Sequence, residues 1–182
     1  MTHPGKPITR RTVLSRRDLM TEADRVAASA RIAATIDALL PAGTVALYAA
    51  KSTEVDLAGL DADLRARGVR VVYPRVVPGQ RVLELAEGNL APGTFGLREP
   101  TGAAVPLDEI AAFVVPGIAF DRAGGRLGWG HGYYDATLAR ARPGALRIGV
   151  AFDCQLVEHI PRDAHDVNLD LVVTETATHG GQ

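Results

Sequence analysis

Hydrophobic and polar positions alternate with two different periods along the chain. An apolar stripe at helical spacing between Ile32 and Leu40 predicts a long amphipathic helix. Thr21 stands in the N-cap position of this helix, with acidic residues directly after it, and Pro41 and Gly43 end it. An arginine-rich segment over 6–20 predicts a shorter helix before it.

Compact apolar runs predict buried strands, and helical patterns at about 57–67 and 133–141 lie between them. The alternating run 81–88 predicts a hairpin arm, and the proline- and glycine-rich stretch 89–106 predicts a loop. Alternation of strands and helices indicates a three-layer α/β/α fold with a mostly parallel central sheet, Rossmann-like in arrangement. The predicted central strands are 44–50, 69–74, 110–120 (interrupted by Pro116 and Gly117), 146–152 and 169–175.

Length and composition restrict the class of protein. A chain of 182 residues with 47% hydrophobic and 23% charged content predicts one domain over 1–182. A net charge of −1 does not favour nucleic-acid binding, and no apolar run is long enough to cross a membrane. Cys154 is the single cysteine, which fits a reducing cytoplasm, and we interpret it as a packing residue. No apolar segment follows the basic N-terminus, so we expect no secretory signal.

The stretch "AFDRAGGRLGWGHGYYDATLAR" (119–140) is the first candidate for chemistry. Its glycines let the backbone approach a ligand closely, and successive N–H groups of such a loop can bind an anion. Arg126 adds a fixed charge suited to phosphate, the helix that follows points its N-terminus at the loop, and Asp135 is placed to reach a magnesium ion. The stretch is neither a Walker A motif nor a dinucleotide fingerprint, so a flexible turn remains the alternative. The loop glycines are Gly124, Gly125, Gly128, Gly130 and Gly132.

Three further segments carry charged candidates. Lys6 and Arg10 share one helix face, which is either a solvated basic face or half of an anion site. Glu54 follows the first strand, where ligand-binding groups of α/β sheets cluster, or is an ordinary helix-start carboxylate. Asp166 is a second candidate ligand for a hard cation, with His165 beside it, or a loop carboxylate that caps a turn.

Taken together, these segments resemble the 5-formyltetrahydrofolate cyclo-ligase family. The family pattern P-G-[LIV]-[AG]-F-D-x-x-G-x-R-L-G-x-G-x-G-Y-Y-D is similar to "PGIAFDRAGGRLGWGHGYYD" (116–135). The N-terminal K-x-x-x-R, the E-V-D after the first strand (54–56) and "HDVNLDLVVTE" (165–175) match in the family's order. The resemblance covers residues 6–175.

The resemblance implies an ATP- and Mg²⁺-dependent ligase of one-carbon metabolism. It would convert 5-formyltetrahydrofolate, with or without a polyglutamate tail, to 5,10-methenyltetrahydrofolate, ADP and phosphate. It also implies the cyclo-ligase fold, related to the NagB, RpiA and CoA-transferase scaffold, and a monomer in the cytoplasm without nucleic-acid or membrane partners.

The resemblance also assigns site residues. Lys6 and Arg126 match the catalytic phosphate contacts, and Asp135 and Asp166 match the magnesium ligands. Trp129 and His131 depart from the common family residues, and a histidine in place of lysine would make a weaker, pH-dependent phosphate contact. The implied ATP contacts are Lys6, Arg10, Arg126, Leu127, Gly128, Trp129, Gly130, His131, Gly132, Tyr133 and Tyr134. The implied folate contacts are Ala49, Glu54, Trp129, Gly130, His131, Gly132 and Tyr133.

Two other functions remain open from the residues alone. One is a folate- or nucleotide-binding relative without turnover. The presence of Lys6, Arg126 and Asp135 argues against this alternative. The other is a sugar-phosphate isomerase-like enzyme on a related scaffold, for which no acid–base pair accompanies Asp135.

Overall fold

The fold is described from a computed structural model, for residues 5–180. The expectation about a secretory signal rests partly on residues 1–4, which lie outside the described residues, as do 181–182. The single domain over 1–182 stays a prediction. The helices are α1 (Gly5–Asp18), α2 (Glu22–Leu39), α3 (Ala58–Ala66) and α4 (Tyr133–Leu138). The strands are β1 (Thr44–Ala46), β2 (Val71–Arg75), β3 (Glu84–Ala86), β4 (Leu90–Pro92), β5 (Arg98–Pro100), β6 (Ala104–Val105), β7 (Ile110–Val115), β8 (Ala119–Asp121), β9 (Arg126–Leu127), β10 (Leu146–Val150), β11 (Leu156–Val157), β12 (Leu171–Val173) and β13 (Thr178–Gly180).

Eight strands form the main sheet in the order β13-β12-β10-β7-β1-β2-β3-β6. The five strands from β12 to β2 are parallel, and the strands at both edges pair antiparallel. In the middle of the sheet, Val45 pairs with Val71 on one side and with Ala112 on the other. The prediction of a mostly parallel central sheet is therefore confirmed.

The central strands are buried on both faces, which explains why they read as continuous apolar runs. Val114 packs in a core with residues of α2 and α3, whereas its neighbours Phe113 and Val115 pack in a second core with Leu138 of α4. Because successive strand residues point to opposite faces, one strand supplies both cores. Within residues 5–180, no helix has the length and apolar character needed to cross a bilayer.

Helix α1 lies outside these two cores, against a small sheet of order β11-β8-β9. Its Val13 is fully buried among Ile118, Leu127 and Ile160. Because α1 packs on the sheet that carries the glycine-rich segment, its N-terminal cations are brought to that segment.

Several of the sequence predictions need correction. The predicted strand 110–120 is two strands: β7 ends at Val115, and after Pro116 and Gly117 the chain enters the small sheet as β8. Proline lacks the N–H that a central strand needs, which is why β7 ends there.

The segment 89–106 is also more ordered than the predicted loop. It holds the antiparallel pair β4–β5 and the edge strand β6. Helix α4 is shorter than predicted and ends at Leu138, and the sequence patterns do not predict β9, β11 and β13. The remaining elements lie where the patterns place them, with shorter strands.

The candidate site residues lie at the point where the strand order of the sheet reverses direction. From β1 the chain proceeds to β2 on one side of the sheet, and it returns as β7 on the other side of β1. The carboxyl ends of parallel strands at such a reversal border a crevice, the usual place for ligands in α/β sheets. Glu54 follows β1, and the glycine loop follows β7 through β8 and β9.

Candidate active site

The first turn of the glycine-rich segment is organised by Asp121, which is 1% exposed. Its Oδ1 accepts hydrogen bonds from the backbone N–H groups of Gly125 (2.7 Å) and Ala123 (3.0 Å). Its Oδ2 accepts from the N–H of Ile160 (2.9 Å), and Arg162 donates to the same carboxylate. Burial by itself raises the pKa of Asp121, but these hydrogen bonds and the charge of Arg162 outweigh it, so the pKa lies below its ordinary value.

Asp121 thereby ties the glycine-rich turn to the segment that leads to Asp166. Sequence reasoning did not single it out, although it stands inside the quoted motif. An aspartate followed by a residue pair and two glycines is a usual signal for a side chain that accepts from the turn after it.

Arg126 and Asp135 form a largely buried ion pair. Arg126 Nη2 donates to Asp135 Oδ2 at 2.9 Å, and the two side chains are 6% and 16% exposed. The guanidinium also lies 5.3 Å from the ring centroid of Tyr134, and the N–H of Val167 donates to Asp135 Oδ1 (3.3 Å). Arg126 Nε is buried without a hydrogen-bond partner among the described residues. Since a buried, unpartnered donor on a cation is costly, an anion placed beside it would satisfy it.

Lys6 is held by two carboxylates. Its Nζ donates to Oδ2 of Asp163 (2.8 Å) and of Asp166 (2.9 Å), and only 6% of the residue is exposed. Burial lowers the pKa of Lys6, but the two hydrogen bonds outweigh it, and the pKa lies above its ordinary value. Lys6 is the second residue of α1 as the structure describes this helix.

Arg10 reaches the glycine loop one helical turn further along α1. Its Nε donates to the carbonyl oxygen of Gly128 (2.8 Å). At Gly130, where φ is +99°, a Cβ would lie 3.2 Å from Arg10 Nη2, so the loop backbone approaches this cation closely. Lys6 and Arg10 therefore face the site rather than forming a solvated basic face.

Glu54 lies in the turn after β1 with a half-buried side chain. Its Oε2 accepts from the backbone N–H of Lys51 (3.0 Å). Burial raises the pKa of Glu54, opposed by this hydrogen bond and by the charges of Arg17 and Lys51. Burial also raises the pKa of Tyr48, and the negative charges near it, Glu54 first, raise it further. Ala49 is half-buried and packs against the core beneath this turn.

Aromatic rings line the exposed rim of the loop. His131 stacks on Phe95 with ring centroids 5.3 Å apart and planes 14° apart, and Tyr133 lies 6.1 Å from His131. Trp129 is 59% exposed. Phe95 comes from the segment that was expected to be a plain loop, and no sequence pattern singled it out.

The oxygen ligands suit a hard cation. Ligand atoms of Asp163, His165 and Asp166 all lie within 4.8 Å of one another. The N–H of Val167, directly after Asp166, donates to Asp135, so the two predicted metal ligands stand on adjoining segments. Carboxylates with room for water and phosphate oxygens are the donor set Mg²⁺ prefers, and the residues present fit this ion. The ammonium of Lys6 now neutralises two of these carboxylates.

The six-residue α4 begins after Gly132, whose φ is +73°. This helix is too short to contribute the helix N-terminus that the sequence predicted for anion binding. Among the described residues, the cations and the loop backbone remain as the candidates for anion binding. The site combines two arginines and a lysine with three carboxylates around one loop, an arrangement that can hold a phosphate chain and a divalent cation.

A family model and named relatives match this chain over most of its length. A model of the 5-formyltetrahydrofolate cyclo-ligase family matches residues 2–175. A 5-formyltetrahydrofolate cyclo-ligase of Mycolicibacterium smegmatis is 34% identical over 96% of this chain and 95% of its own. One from Escherichia coli K12 is 33% identical over 77% of this chain and 82% of its own.

Two solved structures are similar to this chain over most of its length. The NMR structure of Aquifex aeolicus 5,10-methenyltetrahydrofolate synthetase has a TM-score of 0.83 at 34% identity, covering 97% of this chain and 92% of its own. A 5,10-methenyltetrahydrofolate synthetase from Mycoplasma pneumoniae has a TM-score of 0.79 at 24% identity, covering 93% and 98%. The second likeness supports the fold.

Proposed function

Because the chain belongs to the 5-formyltetrahydrofolate cyclo-ligase family of enzymes, we propose that it cyclises 5-formyltetrahydrofolate to 5,10-methenyltetrahydrofolate with MgATP. The observation that carries the proposal is that Arg10 and Arg126 contact one glycine loop, while Lys6 lies on the adjoining segment, bound to carboxylates suited to magnesium. We propose that the enzyme acts as a monomer, which is supported by a site whose proposed residues all come from one chain. Its place in the cytoplasm stays a prediction of the sequence.

The chemistry explains why such a site is needed. The formyl oxygen is amide-like and leaves poorly, so it first attacks the γ-phosphorus of ATP, and ADP departs. The resulting iminium phosphate is attacked by N10, the C–O bond breaks, and the oxygen leaves with phosphate while N10 loses its proton. The work of the protein is to align the two substrates and to neutralise charge on the phosphates.

Each residue has a proposed part in this sequence. Arg10 and Lys6 would bind the phosphates from the side of α1, and Arg126 would stabilise the transferring group. The backbone from Leu127 to Tyr134 would follow the triphosphate. Bound Mg²⁺, held by Asp135 and Asp166, would neutralise phosphate charge. For this, Lys6 must exchange at least one carboxylate partner for a phosphate oxygen.

The folate side of the site is proposed to lie between Ala49, Glu54 and the loop rim. The Glu54 carboxylate would accept hydrogen bonds from the amino edge of the pterin. Ala49 offers only a small apolar surface there. The rim residues from Trp129 to Tyr133 would contact the conjugated part of the folate.

The test is an assay of the purified protein with MgATP and 5-formyltetrahydrofolate, following near-UV absorbance of the methenyl product together with ADP release. We expect both signals, and we expect Arg126→Ala to lose about 10²–10³-fold in kcat/KM. Arg122→Ala is the matched control, because Arg122 is an exposed arginine of the same segment. Folate binding without release of ADP or product would instead identify a non-catalytic relative. If the protein shows no binding and no turnover, the proposal is overturned.

A further inference from the structure

Lys51 joins two loops that the proposed function places around the folate. Its side-chain Nζ donates to the carbonyl oxygen of Phe95 (2.8 Å), 44 positions away in sequence. Its backbone belongs to the turn of Glu54, because the Lys51 N–H donates to Glu54 Oε2 and the Glu54 N–H donates to the Lys51 carbonyl (3.1 Å). A Cβ on Gly96 would lie 3.6 Å from the Nζ atom, so the ammonium rests against the Phe95–Gly96 turn.

The Phe95 residue is held in an unfavourable backbone conformation. Its φ is +57° and its ψ is +23°, the left-handed region, which large non-glycine residues rarely adopt. The surrounding segment is fixed by hydrogen bonds from the Gly93 N–H to the Leu97 carbonyl (2.8 Å) and from the Thr94 N–H to Glu99 (3.2 Å). Such backbone strain persists only where surrounding contacts impose it, and it concentrates at functional sites.

The side chain of Phe95 is not buried by this arrangement. It is 55% exposed and stacks on His131 of the glycine loop, with Tyr133 at 6.4 Å. Because the ring is exposed, the unfavourable backbone conformation of Phe95 is not offset by burial of its side chain in the core. The ring does form one side of an aromatic surface whose other side belongs to the proposed folate-contacting loop.

We propose that Lys51 is a positioning residue that holds the segment 93–97 so that Phe95 completes a surface for the conjugated ring system of the reduced folate. This inference rests on the proposed function. Folate is favoured over adenine because the same turn fixes the Glu54 carboxylate, which suits the hydrogen-bonding edge of a pterin. One lysine therefore sets the position of both a polar and an aromatic contact with the same ligand.

The experiment compares Lys51→Met with Arg98→Met, both full-length. Arg98 is a matched control. It is exposed, lies in the β4–β5 hairpin that carries Phe95, and donates to the carbonyl of Leu90 (2.9 Å) rather than to that of Phe95. Dissociation constants for 5-formyltetrahydrofolate and for ATP are measured separately by calorimetry. Amide exchange over 93–97 is measured without ligand.

For Lys51→Met we expect the folate Kd and KM to rise about threefold to tenfold, the size of the net contribution of one ordinary exposed hydrogen bond. The ATP Kd should stay unchanged, and 93–97 should exchange faster. Lys51→Arg should restore folate binding. Phe95→Ala should weaken folate binding, and adding Lys51→Met to it should cause little further loss, because the two residues act as one unit.

Other outcomes decide against the inference. If Lys51→Met behaves like Arg98→Met, or if ATP rather than folate binding weakens, Lys51 has no such role. If wild-type protein binds folate with this Lys51 dependence but shows no turnover, the proposed catalysis fails and the positioning role stands. If it binds no folate, both fail.

Discussion

The Nζ atom of Lys6 lies 2.9 Å from Oδ2 of Asp166, joining the first turn of α1 to a loop 160 residues later in the chain. The same ammonium also binds Asp163. A proposed phosphate-binding cation is thus paired with a proposed magnesium ligand. In the described structure the two candidate roles share one set of carboxylates, so phosphate, magnesium and lysine must rearrange together.

Lys6→Met should separate these roles. Without the ammonium, Asp163 and Asp166 repel each other, and a divalent cation becomes the available partner. We therefore expect the ligand-free variant to bind Mg²⁺ or Mn²⁺ more tightly than wild type, seen as a larger metal-dependent rise in Tm, while kcat/KM falls about tenfold to a hundredfold. Lys6→Arg keeps the charge and serves as the control. Unchanged metal affinity in Lys6→Met would show that Asp166 is not a metal ligand.

Replacing Asp121 should destabilise the fold, most clearly away from acid pH. Asp121→Ala leaves three backbone N–H groups without their acceptor and removes the ionic partner of Arg162, and we expect a loss of about 2–4 kcal/mol in the free energy of unfolding. Urea titration at pH 7 measures it. Asp153→Ala, which removes another aspartate that accepts a hydrogen bond, from Thr176, is a comparison and should cost less.

The pH dependence of this effect has a definite sign. The pKa of Asp121 is lower in the folded protein than its ordinary value of 3.8, so the unfolded chain takes up the proton first as pH falls. The stabilisation is complete well above pH 3.8 and is lost as pH falls through the folded pKa. Asp121→Asn should remove this part of the acid transition, and an unaltered acid limb would contradict the assignment.

Glu54→Gln should affect ligand binding and stability in opposite directions. The pKa of Glu54 is raised in the fold above its ordinary value of 4.5, so the folded protein binds the proton more tightly. Its contribution to stability is therefore highest at low pH and declines as pH rises from 4.5 through the folded pKa. At pH 7 the variant should be at least as stable as wild type, while folate KM rises about tenfold or more.

Urea titrations across pH 4–8 and steady-state kinetics check both effects for Glu54→Gln. Glu158→Gln, at an exposed position away from the loop, should change neither. If the stability of Glu54→Gln falls at pH 7 and its KM stays normal, Glu54 is a structural residue of the turn instead.

The amino-acid sequence was a sound guide to the residues at the strand ends but a poor one to the contacts of their side chains. Strand and helix periods place Glu54 after β1 and the glycine motif after β7, and parallel strand ends then bring them to one crevice. The partners of Lys6 could not be predicted from the sequence, because no local pattern connects a first-turn lysine with carboxylates at 163 and 166. Nor does any local pattern connect Lys51 with the carbonyl of Phe95.

The errors in the predicted fold also arise from contacts that local sequence patterns do not encode. Proline and glycine between 89 and 106 predict a loop, but tertiary neighbours of the segment pair it into β4–β5 and add β6 to the sheet edge. The left-handed conformation of Phe95 is similarly imposed by its surroundings, since nothing in a phenylalanine favours it.

Two glycines of the loop should respond differently to alanine. At Gly124, φ is +82° and a Cβ would lie 2.2 Å from the carbonyl oxygen of Leu169, so Gly124→Ala must displace backbone. We expect it to lower the free energy of unfolding by more than about 2 kcal/mol. At Gly128 a Cβ would lie 2.8 Å from Arg126 Nη1, the end of a side chain that can move.

Gly128→Ala should therefore shift the guanidinium of Arg126 rather than the fold. We expect kcat/KM to fall about tenfold or more because the transferring phosphate loses an aligned contact, with stability changed by less than about 1 kcal/mol. Urea titration and kinetics on both variants, side by side with wild type, measure the contrast. If Gly128→Ala keeps full activity, the position of Arg126 is not critical for the reaction, whereas equal destabilisation by both substitutions would show that the whole loop is structural.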